Sequence, residues 1–159
     1  MTWRGSTTTT DRIVASLLYL LPLLNGIRFS FPFFSQFPAL RQFVLDPFLP
    51  LIQIYNLPFV SLGVFFAVFL LVVQNANMSH FTRFNGMQAI LLSIVLALCG
   101  ILIQFVFEPL LGGSLLLDTL FNVIFLGTLT AVIYSVAQSV LGRYAEIPAL
   151  SDAVHMRVR

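Results

Sequence analysis

The sequence contains no lysine and few charged residues of any kind. Charged side chains make up 9% of the 159 residues, against roughly a quarter in an ordinary soluble domain. The net charge of +2 is too small for the clustered basic surface that binds nucleic acid. A soluble fold of this length would lack the polar surface to cover a chain that is 58% hydrophobic. The composition therefore predicts an integral membrane protein.

Residues that carry chemistry are scarce as well. Cys99 is the single cysteine and lies inside an apolar run, which excludes an intrachain disulfide and disfavours metal ligation. No glycine-rich phosphate-binding loop is present. Glu108 and Asp118 flank a predicted loop, whereas a proton relay needs a carboxylate near the middle of the membrane. These absences argue against an enzyme, a metal centre and a bound cofactor.

The N-terminal stretch MTWRGSTTTTDR is polar and short. It lacks the length and the Arg/Ser-rich character of an organelle transit peptide, and no small-residue cleavage site follows the first apolar run. We therefore expect the chain to enter its membrane without a removable presequence.

Four apolar stretches approach the length of about 20 residues that a membrane-crossing helix requires. The first is the weakest, because Pro22 lies inside it and Asn25, Gly26 and Arg28 follow soon after. The sequence predicts an all-α, polytopic membrane protein, a single domain over residues 1–159. Its four transmembrane helices are expected at about 13–28, 54–73, 84–107 and 114–141.

Residues 29–53, between the first two spans, alternate phenylalanine and proline. Four prolines exclude a continuous spanning helix in this segment. A short helix over PALRQFVLD would place Leu40, Phe43 and Val44 on one face and turn Arg41 and Gln42 away. This pattern predicts an interfacial helix anchored by aromatic side chains. An irregular loop packed on the bundle is the alternative.

Arginine placement predicts the orientation of the chain. With four spans, one side carries six arginines: Arg4, Arg12, Arg83, Arg143, Arg157 and Arg159. The other side carries only Arg28 and Arg41. Because positive loops stay on the cytoplasmic side, both termini are expected in the cytoplasm, or in the stroma of a plastid. Arg12, Arg83 and Arg143 would mark that interface.

Polar and small residues recur at helical spacing inside the third and fourth spans. Side chains four residues apart share a helix face, and the polar candidates are Asn85, Gln88, Gln104, Asn122, Thr130, Tyr134 and Gln138. Small residues suited to close helix packing are Gly86, Ala89, Ser93, Ala97, Gly100, Gly127, Ala131, Ser135 and Ser139. Both sets are compatible with three roles, which are helix packing within one chain, an interface between the subunits of an oligomer, and the lining of a path through the membrane.

Three functions suit these features. A path for extended polypeptide would be lined by neutral polar and small groups, as here, and would need further subunits because four helices enclose no wide pore. A structural subunit without a pore and a small-solute or amino-acid channel are the alternatives. The expected partners are the lipid bilayer, other membrane subunits in a homo- or hetero-oligomer, and a translocating polypeptide, but no nucleic acid.

Four strings resemble a known family. They are DRIVASLLYLLPLLNGIRF, PFLPLIQIYNLPFVSLGVFFAVFLLVVQN, HFTRFNGMQAILLSI and AVIYSVAQSVLGRYAEIPALSDAVHMRVR. Together they resemble the twenty-kilodalton subunit family of the TIC translocon, the protein import machinery of the chloroplast inner envelope. RFNGMQAILL (Arg83–Leu92) and the tail Glu146–Arg159 are the most specific parts.

The resemblance implies four transmembrane helices, termini on the stromal or cytoplasmic side, and membership of a protein-conducting complex. Plant members begin with a transit peptide, which this sequence lacks, so the resemblance points to a cyanobacterial or plastid-encoded member. The corresponding membrane is a cyanobacterial membrane or the plastid inner envelope. No catalytic, metal-binding or cofactor-binding residue follows from it.

Overall fold

Helices account for nearly all of the chain that the structure describes. The computed structural model describes residues 6–158, and no strand occurs within that range. The predicted all-α class is confirmed. Arg4 and Arg159, two of the arginines in the predicted charge asymmetry, lie outside the described residues.

The first predicted span is divided into two short helices. Helix α1 (Thr9–Leu18) begins with a capping box, in which Thr8 Oγ1 accepts from the Asp11 amide at 3.1 Å and the Thr8 amide donates to the Asp11 carboxylate at 3.0 Å. Helix α2 is Leu20–Ile27. Pro22 cannot donate to the Leu18 carbonyl and its ring displaces that carbonyl, which explains the break at Tyr19. Both helices pack against the two long helices described below.

The segment after α2 contains a sharp corner. Helix α3 (Phe31–Gln36) is followed by α4 (Pro38–Tyr55), which contains a π turn at Arg41–Leu45 and a 3-10 turn at Asp46–Phe48. Helix α5 (Val60–Val73) then runs at 89° to α4. The corner includes Phe59, a non-glycine residue with φ of 67°. The segment predicted to span the membrane at about 54–73 is thus straight only from Val60 onward.

The two longest helices form the centre of the fold. Helix α6 (His80–Leu111) has 32 residues and α7 (Leu115–Val140) has 26, and each begins at a serine cap, Ser79 and Ser114 respectively. Within the described chain these two are long and apolar enough to cross a membrane, and the bent pair of α4 and α5 would provide a third candidate. The four predicted spans are therefore represented by two to three candidates.

The chain folds back onto the bundle after α7. Gly142, with φ of 70°, ends α7 in a Schellman motif, in which the Arg143 amide donates to the Gln138 carbonyl at 2.8 Å. Residues 143–147 are followed by helix α8 (Pro148–Arg157), which packs against α6. We call residues 143–158 the C-terminal segment. Nothing in the apolar pattern predicted that it would be part of the core.

Among the described residues, the apolar core consists of three clusters, two of them near the two ends of α6 and a third between them around Ala89 and Leu92. One cluster joins Phe84 of α6 to Val154 and Val158 of the C-terminal segment. Another surrounds Ile103 and includes Phe29 and Phe125. Phe84 and Ile103 are 19 residues apart along α6, which corresponds to about 29 Å. The first of these ends carries the polar site.

Candidate functional site

Four buried polar side chains meet where the C-terminal segment enters the bundle. The polar cluster consists of Tyr19 at the α1–α2 break, Asn85 and Gln88 on α6, and Ser139 on α7, all with 0% exposure. The N-terminal part of α6 brings Asn85 and Gln88 to one face because they are three residues apart. Tyr19 reaches them because the break after α1 lies beside this part of α6.

Asn85 is the centre of the helix-to-helix contacts. Its Oδ1 accepts from the Tyr19 hydroxyl at 2.8 Å and from the Ser139 hydroxyl at 3.2 Å. Its Nδ2 donates to the Phe81 carbonyl at 2.9 Å. One amide therefore links α1, α6 and α7. In an apolar interior each of these groups would be costly to leave unpaired, by about 1–3 kcal/mol.

Gln88 holds the C-terminal segment. Its Nε2 donates to the Tyr19 hydroxyl at 2.9 Å and also to the Ala145 carbonyl. Its Oε1 accepts from the Ile147 amide at 3.5 Å. The side chain thus satisfies backbone groups of Ala145 and Ile147, which precede α8 and lie in no helix. Nothing else in the described structure bonds these two backbone groups.

Aromatic packing holds the same segment from the outside. Tyr144 packs against Phe81 and Phe84, with ring centroids 5.2 and 5.0 Å away. His80 Nδ1 lies 2.9 Å from the Tyr144 hydroxyl, and its Nε2 lies 3.3 Å from the Val158 carbonyl. His80, although exposed, therefore joins both ends of the C-terminal segment to the start of α6.

The Asp11 carboxylate ties α1 to the cap of α6. It accepts from Ser79 Oγ at 2.8 Å, from Thr82 Oγ1 at 3.2 Å and from Thr8 Oγ1 at 2.8 Å. Burial on its own raises the pKa of this carboxyl, but the hydrogen bonds from Thr8, Ser79 and Thr82 outweigh it. The pKa of Asp11 therefore lies below its ordinary value of 3.8.

Asp11→Asn should lower the apparent melting temperature of the detergent-solubilised protein by about 2–4 °C near pH 7. A lowered pKa in the folded state gives stability that is full above 3.8 and is lost as the pH falls through the folded value. The difference between the two proteins should therefore shrink as the pH is lowered below 3.8. Asp152→Asn, at an exposed position of α8, is the matched control. An equal difference near pH 7 and below pH 3.8 would contradict this role of Asp11.

The other polar candidates lie elsewhere. Thr130 and Tyr134 are exposed on α7, and Thr130 Oγ1 donates to the Leu126 carbonyl at 2.8 Å. Gln138 and Asn122 are half-buried, and Asn122 Oδ1 is a buried atom without a hydrogen-bond partner among the described residues. Gln104 is exposed and borders a cavity of about 410 Å³ with Arg28 and Glu108. Of the seven predicted polar residues, Asn85 and Gln88 are therefore fully buried, and the other five are half-buried or exposed.

The small residues of α6 face three different neighbours. A Cβ at Gly86 would lie 3.2 Å from Val72 of α5 and 3.5 Å from Leu18 of α1. At Gly100 it would meet the Arg28 guanidinium at 2.9 Å. Ala89 and Ser93 are buried and Ala97 is exposed. This face of α6 therefore packs against α1, α5 and the end of α2.

The small residues of α7 change environment along the helix. Gly127 has no atom within 4 Å of its Cβ position, Ala131 is half-buried, and Ser135 and Ser139 are fully buried. This row of small residues is therefore exposed at Gly127 and buried at Ser135 and Ser139. Its enclosed part lies beside Tyr19 and the C-terminal segment.

The three marker arginines lie at the same end of the bundle as the polar cluster. Arg12 Nε donates to Thr7 Oγ1 at 3.1 Å, next to Gly142. Arg83 Nε donates to the Val73 carbonyl at 2.9 Å, at the C-terminus of α5, where a cation is favoured. Arg143 is exposed directly after α7. These arginines and the ends of four helices form one face of the molecule.

Known proteins are similar in sequence to this chain over most of its length. Residues 8–154 match the family model described as "Chloroplast import apparatus Tic20-like". A Tic20 family protein of Synechocystis is 45% identical over 150 residues, which cover 94% of this chain and 93% of that protein. The polar cluster and most of the C-terminal segment lie within these matched residues.

More distant relatives come from plastid-bearing organisms. Protein TIC 20-II, chloroplastic, of Arabidopsis thaliana is 30% identical over 151 residues, covering 92% of this chain and 72% of that protein. The Tic20 family protein Ycf60 of Gracilaria tenuistipitata var. liui is 31% identical over 160 residues, covering 95% and 76%. The resemblance found in the sequence is confirmed, and the chain belongs to the Tic20 family.

Proposed function

We propose that this chain is a membrane subunit of a protein-translocating assembly and contributes one wall of the polypeptide path. The description of its family is that of an import apparatus, which is a transport function and not an enzymatic one. The path would lie on the outer face of α7 and be completed by other subunits.

The observation that carries this proposal is a pair of polar side chains exposed on the outer face of α7. Thr130 and Tyr134 are exposed near the middle and the later part of a helix that is apolar enough to span a membrane. At Gly127, which precedes Thr130 on α7, no atom lies within 4 Å of the Cβ position, so the helix backbone is uncovered there. A polar helix face is disfavoured against lipid and favoured against protein or water. The bundle interior is not a competing path, because Asn85 and Gln88 already bond to other parts of the chain.

Four membrane-crossing segments and one interfacial helix are compatible with this proposal. Helices α1 and α2 together cover the 19 residues Thr9–Ile27. Placed end to end, they are about 28 Å long, close to the thickness of the hydrocarbon core. If α5 crosses the membrane, α4 at 89° to it lies along the surface. Arg12 and Arg143 then face the cytoplasm or stroma with both termini, and Arg28 and Arg41 face the opposite side.

Site-specific photocrosslinking tests the path. A photoreactive residue at Thr130 or Tyr134, in membranes that carry an arrested precursor polypeptide, should give at least about fivefold more precursor adduct than one at Leu102. Leu102 is an exposed apolar position on α6 and serves as the matched control. Adducts of equal yield at all three positions would contradict the proposal.

A structural subunit without its own path is the second candidate. The uncovered backbone at Gly127 suits close approach of a helix from another subunit. In the same experiment this function predicts adducts between the α7 positions and a partner subunit of fixed mass, whether or not precursor is present. That result would replace the path with a scaffold role.

A further inference from the structure

Two cavities adjoin along helix α4. The larger, of about 270 Å³, lies between α2, α3, α4 and α7, and the described residues that line it are all apolar. The smaller, of about 180 Å³, lies between α3, α4 and the end of α2. Ile27, Phe34 and Leu45 line both cavities. The two cavities therefore share three lining side chains.

The larger cavity suits a hydrocarbon chain. It exceeds the volume of about 150 Å³ at which an engineered apolar cavity already binds benzene. Its α4 side is open, because Leu40, Val44 and Phe48 are each about half exposed. With α4 lying along the membrane surface, as proposed above, this opening faces the lipid.

The smaller cavity carries a positive charge. Arg41 is the only charged residue among the described residues that line it, and the Ser30 hydroxyl is close by in the same lining. Within the described chain the Arg41 side chain makes no hydrogen bond. Its nearest acid, Asp46, lies 3.8 Å away with both side chains about half exposed, which is too long for a hydrogen bond and contributes little as an ion pair. The guanidinium donors remain available to a ligand.

A local distortion of α4 brings the polar and apolar surfaces together. The π turn at Arg41–Leu45 contributes Arg41 to the smaller cavity, Val44 to the larger and Leu45 to both. Such turns occur frequently at functional sites. The turn therefore joins an anion-binding group to an apolar cavity within five residues.

We propose that these two cavities bind one anionic phospholipid, with its phosphate on Arg41 and an acyl chain in the apolar cavity. Neither cavity alone identifies this ligand. The charge selects an anion, the apolar lining selects a hydrocarbon chain, and their common wall selects a molecule that contains both. The proposal rests on the interfacial placement of α4, but not on any polypeptide path.

Lipid retention by the purified full-length chain tests the proposal. The protein in detergent is mixed with phosphatidylglycerol or with phosphatidylcholine of identical acyl chains, and bound lipid is counted by native mass spectrometry. Phosphatidylglycerol should be retained about tenfold more strongly, and Arg41→Gln should remove that preference, as expected for loss of a charge-assisted hydrogen bond. Equal retention of the two lipids by the unmodified chain would overturn the proposal.

Three variants separate a ligand contact from a structural one. Asp46→Asn should keep or increase phosphatidylglycerol retention, whereas a loss like that of Arg41→Gln would mean that only the ion pair matters and would overturn the proposal. Val44→Trp should lower retention of both lipids by filling the apolar cavity. Val123→Trp, at an exposed position of α7 away from both cavities, should change neither. An equal effect of the two tryptophans would also overturn it.

Because the assay uses no translocating substrate, its failure would leave the proposed path untouched. Conversely, crosslinking failure at α7 would leave the lipid site standing. Arg41 and Val44 are exposed, so their variants are expected to fold, and helical circular dichroism checks this directly.

Discussion

Gln88→Leu is expected to lower the unfolding free energy by about 3 kcal/mol and to release the C-terminal segment. The substitution removes the partner of the Ala145 carbonyl and of the Ile147 amide, both in a segment without helical bonds of its own at those positions. Leaving buried polar groups unpaired costs about 1–3 kcal/mol each, although interhelical bonds in membranes often contribute less. For a chain of this size the apparent melting temperature should fall by about 6–10 °C.

Two other substitutions are expected to lower the unfolding free energy by less than Gln88→Leu. Tyr19→Phe removes one hydroxyl but leaves Gln88 bonded to Ala145 and leaves Asn85 bonded to Ser139. It should therefore cost only about 1 kcal/mol. Gln104→Leu changes the same residue type at an exposed position of α6, and should stay within about 0.5 kcal/mol of the unmodified protein.

Limited proteolysis gives the second readout. Cleavage after Arg143 should become faster in Gln88→Leu than in Tyr19→Phe, because only the first substitution frees the backbone of residues 145–147. If both variants melt and are cleaved alike, then aromatic packing of Tyr144 on Phe81 and Phe84 holds the segment, and the hydrogen bonds of Gln88 contribute little.

Hydropathy located the two longest helices for a physical reason. A bilayer requires long apolar helices, so α6 and α7 could be located within a few residues at each end. Hydropathy does not indicate which helices contact each other. Asn85 and Gln88 were recognised as polar residues in a span, but their partners include Tyr19, 66 and 69 residues away, and no periodicity encodes that distance.

The first span and the C-terminal segment were harder for related reasons. Composition measures average apolarity, whereas one missing N–H at Pro22 divides the helix. The stretch after Gly142 is too polar to be read as part of a membrane core. Its inner side chains and backbone are held in place by hydrogen bonds from Gln88 and by packing of Tyr144 and Val154 against Phe84. Tyr19, a lone hydroxyl within an apolar run, was the one sequence signal that could have pointed to this cluster.

The sequence analysis named Gly26 only as a residue that weakens the first span, whereas in the structure it lies against Thr128 of α7. A Cβ at this position would lie 2.6 Å from Thr128 Cγ2 and 3.2 Å from Thr128 Cβ. Thr128 cannot turn away easily, because it is branched at Cβ and its hydroxyl donates to the Ile124 carbonyl at 2.8 Å. A side chain at Gly26 must therefore push α2 away from α7.

Gly26→Ala is accordingly expected to destabilise the protein by about 2–3 kcal/mol, in the upper part of the usual range of about 1–3 kcal/mol for overpacking. Thermal unfolding in detergent would show this as a fall of about 4–10 °C. Gly63→Ala and Gly127→Ala provide matched controls within helices, because no atom lies within 4 Å of either Cβ position. Each should be neutral or stabilising by up to about 1 kcal/mol, since alanine has the higher helix propensity.

A second substitution decides whether the contact itself is responsible. Thr128→Ser removes Cγ2, the atom at 2.6 Å, and keeps the hydroxyl that bonds Ile124. Added to Gly26→Ala, it should restore most of the lost stability, although alone it should cost a little by leaving a small void. If the double variant melts as low as Gly26→Ala, the loss arises from α2 itself and not from its packing on α7. If it recovers, the spacing of these two helices is set by one methyl group facing a glycine.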